Sequence, residues 1–79
     1  MKYVIFEIPG GLRYPFVFPE IVTHSDVVGA YQSIYPGIKV VSAGFCNRFG
    51  NSWGISVSLK LSSHPVEDDI LLKKMFDCD

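Results

Sequence analysis

The sequence predicts an α+β fold: a two-layer sandwich in which a four-stranded, mainly antiparallel sheet carries two helices on one face. Three observations point there. Strand-like and helix-like segments follow one another in the order β-β-α-β-β-α. The connections within each strand pair are short enough for hairpins, which favours antiparallel pairing and leaves both helices to cover one side. Residues 52–61 alternate between large apolar and small or polar side chains, as a strand with one dry and one wet face does. At 79 residues the chain has room for a single domain, 1–79.

The elements follow in order. Residues 2–8 (KYVIFEI) are β-branched and aromatic and stop at Pro9-Gly10-Gly11, a strand ending in a turn. Val4, Phe6 and Ile8 point one way and Tyr3, Ile5 and Glu7 the other, so both faces are largely apolar. Residues 13–18 (RYPFVF) form its antiparallel partner, and Pro15, which lacks an amide hydrogen, assigns this strand to an edge. Thr23 is the N-cap of a helix over residues 24–34, with Asp26 in the acidic position of a capping box. Tyr35-Pro36-Gly37 ends it. Residues 38–46 (IKVVSAGFC) give a third strand, apolar on both sides, and Asn47 to Asn51 break it. In the fourth, Trp53, Ile55, Val57, Leu59 and Leu61 are expected to face the core, with Ser52, Ser56 and Ser58 outward. His64-Pro65 opens the last helix, whose core stripe is Leu71, Leu72, Met75 and Phe76. Val66 and Ile70 fall away from that stripe and have no evident core partner.

Composition narrows the function. The chain is 48% hydrophobic, with seven basic and eight acidic residues and a net charge of −1, which excludes a disordered tail. No apolar run approaches the roughly 18 residues of a membrane-spanning helix. The near-neutral charge gives no footprint for non-specific binding to nucleic acid or an anionic membrane. That charge conceals a division. Residues 1–66 carry five bases and three acids, and residues 67–79 carry five acids and two lysines. The apolar run after Lys2 is too short for a signal-peptide core, and two cysteines, Cys46 and Cys78, are too few for a disulfide scaffold. Both observations point to the cytoplasm, with the cysteines as reduced thiols, although spacing alone leaves their pairing open.

Chemical motifs are sparse. Cys46 as a nucleophile would need a base in reach, and His24 and His64 are the only imidazoles. A buried, unreactive thiol is the commoner use of such a residue. The same four residues lack the close pairs of a structural zinc site, and no cofactor is expected. Both glycine clusters connect strand to strand, so neither is a phosphate cradle. Arg13, Arg48, Phe49 and Trp53 could stack and neutralise a single nucleic-acid strand, but no RNA-recognition signature accompanies them.

Several stretches together resemble a group of short uncharacterised accessory proteins of tailed bacteriophages and prophages. They are Phe6 to Gly10, Phe18-Pro19, His24 to Val27, Val41 to Phe45 and Ser56 to Asp69. The group carries no assigned activity, so the resemblance implies a small accessory protein inside a bacterial cell and transfers no site residue.

The expectation is therefore a non-enzymatic interaction module. A domain this small is short of core, and strands apolar on both sides leave an uncovered sheet face. Tyr3, Ile5, Arg13, Tyr14, Val41, Arg48 and Phe49 are the expected interaction residues. The expected partners are a second copy, as a homodimer, and a phage or host protein. The alternatives are the single-strand nucleic-acid binder and, least favoured, a small cysteine-dependent enzyme.

Overall fold

A computed structural model describes residues 1–77. Cys78, and with it any pairing of Cys46 with Cys78, lies outside the described residues. The elements are β1 (Lys2–Glu7), β2 (Arg13–Phe18), α1 (His24–Ile34), β3 (Lys39–Cys46), β4 (Ser52–Trp53), β5 (Ile55–Ser56), β6 (Leu61–Ser62) and α2 (Pro65–Phe76). The first four strands form an antiparallel sheet in the order β2-β1-β3-β4, and β5 and β6 form a separate small hairpin. The α+β class, the sheet of four antiparallel strands and the two helices agree with the sequence reading. Pro15 does lie on an edge strand. Thr23 caps α1 by accepting the Asp26 amide at 3.2 Å.

The layering differs from the expectation of two helices on one face. Val4 and Phe6 of β1 pack with Val27 and Val28 of α1, Phe18 of β2 and Ala43 of β3. Tyr3 and Ile5, the alternate residues of the same strand, pack instead with Leu72 of α2 and Cys46 of β3. Successive side chains on a strand point to opposite faces, so α1 and α2 cover opposite faces and the sheet lies between them. This is why β1 is apolar on both sides: both are interior. A strand buried on two faces reads as a continuous apolar run rather than an alternation.

A bulge in β3 serves both layers. Ile5 pairs with Ser42 and Phe6 with Val40, which leaves Val41 as the extra residue. Val40 then packs on the α1 side while Val41 packs on the α2 side.

Polar contacts fasten α2. Asp68 is 3% exposed, and its carboxylate accepts three hydrogen bonds. Tyr3 donates its phenol to Oδ2, Ser42 donates to Oδ1 at 2.8 Å, and the His64 amide donates to Oδ2 at 2.9 Å. The neighbouring Asp69 accepts from the amide of Ser52 at 2.7 Å and from its hydroxyl. Two adjacent carboxylates thus tie one helix to β1, β3 and β4. Burial first, and the Asp68 carboxylate second, hold the Tyr3 phenol well above its ordinary range. The unfolded chain loses that proton at about pH 10, whereas the folded chain retains it. The stabilisation is therefore complete below that pH and declines as pH rises through it, by up to about 1.4 kcal/mol per pH unit. Urea unfolding of the wild type and Tyr3→Phe between pH 9 and 11 should show the wild type losing its advantage above pH 10. Parallel curves would refute the coupling.

The second correction concerns residues 52–61. They do not form one strand. Gly54 takes φ +81° after β4, and Lys60 takes φ 57° in the turn that joins β5 to β6. Over residues 52–57 the alternation survives with its sense reversed. Ser52 and Ser56 are buried, while Trp53, Ile55 and Val57 are 49%, 59% and 79% exposed. Each buried serine has a polar reason to be inside. Ser52 bonds Asp69, and the Ser56 hydroxyl accepts the Leu59 amide at 3.3 Å, closing the turn. Leu59 and Leu61 remain half-buried against the α1-side core.

Candidate functional site

One cross-strand row organises the α1 side of the sheet. Phe18 pairs with Lys2, Lys2 with Phe45, and Phe45 with Trp53, so one row spans all four strands. His24, at the start of α1, stands edge-on to Phe18 at 5.4 Å and to Phe45 at 5.9 Å between centroids. Its Nε2 lies 2.8 Å from the Gly44 carbonyl, which can only accept, so Nε2 carries the hydrogen. Burial lowers the His24 pKa, outweighing the Gly44 bond that favours the charged ring, so the imidazole is neutral near pH 7. Lys2 donates to the Val22 carbonyl at 2.9 Å.

Trp53 ends the row on the edge strand and is half exposed. A cleft of about 570 Å³ opens between α1 and the β4–β5 segment, lined chiefly by Lys2, His24, Phe45, Trp53, Ile55 and Val57. A second hollow, of about 430 Å³, adjoins Lys60 and Leu61 and shares Ile55 and Val57 with the first. Ile55 and Val57 therefore form an apolar ridge with a concavity on either side, extended along the first cleft by Trp53. Close packing fixes its base. A Cβ on Gly44 would stand 2.5 Å from the Trp53 carbonyl oxygen and 3.4 Å from that of Gly54, so only glycine lets β4 approach there.

The residues expected to form an interface are not brought together. Tyr3 and Ile5 are fully buried under α2 and Val41 is half-buried beside them, so no open sheet face exists for these three to supply. Tyr14 is exposed on the β2 edge. Arg13 bonds Glu7 at 2.8 Å at the end of β1 that pairs with Lys39. Arg48 and Phe49 follow β3 at the other end, with the Arg48 guanidinium 5.4 Å from the Phe49 ring centre. Six residues of β1 separate the two arginines along the sheet, roughly 17–20 Å. They do not line one groove.

The sheet also divides the groups a cysteine enzyme would need. Cys46 is enclosed on the α2 side, where burial pushes its thiol pKa up, whereas His24 works on the α1 side. His64 lies 3.6 Å from Glu67 on the surface. Among the described residues, no three His, Cys, Asp or Glu side chains converge as a metal site would require. No helix among them is long and apolar enough to cross a membrane.

Sequence reasoning passed over Lys2 and weighed His24 only as a base for Cys46 or a metal ligand. Lys2 shares the inward parity of Val4 and Phe6, and a lysine at such a position was the available signal. No protein-family model, curated protein or solved structure matches the chain.

Proposed function

We propose that the chain is a small non-enzymatic interaction module that acts in the cytoplasm of a bacterial cell. It self-associates as a dimer through the Trp53–Ile55–Val57 ridge and binds a phage or host protein. The observation that carries this reading is the reversed alternation of residues 52–57. Three large apolar side chains stand in solvent while two serines are inside, at a hairpin anchored by its own hydrogen bonds. A contiguous apolar strip flanked by hollows is the usual form of a protein-binding surface. The buried apolar residues are divided between two thin layers, so a small domain gains from covering further apolar area. In a two-fold dimer the same ridge would face its own copy.

Size-exclusion chromatography with light scattering at high micromolar concentration tests the reading. The wild type should elute at twice the 8.8 kDa chain mass. Val57→Lys should return it to one chain mass while shifting stability by less than about 0.5 kcal/mol, because Val57 contributes little to the core. A wild type that stays monomeric removes the self-association. A dimer unaffected by Val57→Lys and Ile55→Lys moves the interface elsewhere.

A further inference from the structure

The cleft on the α1 side of the ridge has a composition that the ridge does not share. Its volume of about 570 Å³ lies within the range of small-molecule sites, and its walls are mostly apolar and aromatic. Its lining residues include one lysine and no acid. Lys2 uses one of its three donors on the Val22 carbonyl, and among the described residues no carboxylate lies within ion-pair distance of it. Phe18 and Phe45 flank Lys2 in the cross-strand row, and the bond to the Val22 carbonyl anchors the ammonium group. His24 adds no second positive charge, because its ring is neutral.

From this charge and shape we infer that the cleft binds a small apolar carboxylic acid as its anion, with the carboxylate at Lys2 and an aromatic or branched body against Phe45, Trp53, Ile55 and Val57. One fixed cation with two free donors suits one negative charge. A phosphate is more highly charged and more strongly hydrated, and would leave the apolar walls unused. The carboxylate gains a charge-assisted hydrogen bond, and the body removes apolar wall from water. This inference goes beyond the interaction module but shares Trp53, Ile55 and Val57 with it, so ligand and second copy compete for that surface. Binding is read on the monomer and oligomeric state without ligand, so either can fail alone.

Trp53 is the sole tryptophan, so its emission reports the cleft directly. Phenylacetate is the probe, with phenylacetamide as its uncharged counterpart and inorganic phosphate as an anion without a body. The protein is held at low micromolar concentration, with its oligomeric state fixed by sedimentation velocity. Phenylacetate should change Trp53 emission saturably and shift the amide resonances of Lys2, His24 and Gly54. Phenylacetamide should bind about three- to tenfold more weakly, the span of a partly exposed charge contact, and phosphate should give no saturable change. Lys2→Met keeps the stem and should bring phenylacetate down to the level of the amide without altering the amide itself. Lys2→Arg should retain the preference for the acid, and it serves if the methionine variant does not fold. Equal affinity for acid and amide, a response without saturation, or an unchanged preference in Lys2→Met would each overturn the inference.

Discussion

Asp68→Ala should lower the stability of the protein by about 3–5 kcal/mol at 25 °C and shift its urea midpoint sharply downward. The substitution removes a carboxylate and leaves the Tyr3 phenol, the Ser42 hydroxyl and the His64 amide without their acceptor. An unsatisfied buried donor costs about 1–3 kcal/mol, and breaking a buried charged network typically costs about 3–5 kcal/mol in all. Against a total stability of roughly 4–12 kcal/mol for a chain of this length, that loss removes much of the margin. Far-ultraviolet circular dichroism and urea titration provide the measurement. Tyr3→Phe removes one of the three bonds and should be milder, at about 1–2 kcal/mol. Asp68→Ala with an unchanged urea midpoint would show that the network does not hold α2.

Ile5→Lys should have a comparable or larger effect, and it separates two architectures. With both helices on one face, Ile5 would lie on an open surface, and a lysine there would leave a folded monomer. In the observed fold Ile5 is fully buried against the α2 layer. Loss of its packing alone costs about 2–5 kcal/mol, and the buried ammonium adds a desolvation penalty. The variant should therefore be unfolded by circular dichroism. A well-folded monomer would mean that α2 does not cover that face. Val57→Lys, on the exposed ridge, is the matched control and should fold.

Much of this architecture was legible locally. Pro15 marked the edge strand, Thr23 and Asp26 marked the start of α1, and Pro65 marked the start of α2. Each signal acts through neighbours within a few residues. The side of the sheet that a helix chooses depends on long-range partners, and the clue was present in β1, where Tyr3 and Ile5 are as apolar as Val4 and Phe6. The sequence reading took that surplus for an interface. It was a second interior. Asp68 was legible in the same way, because positions 68, 71, 72 and 75 share one helical stripe and an acid on it calls for buried donors. Residues 52–61 misled for a different reason. Alternation fixes which residues share a face but not which face is inside, and Gly54 within the pattern was the warning that the strand would break.

The bulge at Val41 makes chain length itself a carrier of information. Upstream of it, odd and even positions in β3 are assigned to one pair of layers; downstream, the assignment is exchanged. The bulge acts on side chains much as a reading-frame shift acts on codons: were Val41 drawn into a regular ladder, every position from Ser42 to the next turn would keep its identity and be delivered to the wrong layer. Deleting Val41 instead leaves Val40 and Ser42 adjacent on opposite layers, so the residues downstream keep theirs and only the packing of Val41 and the local twist are lost.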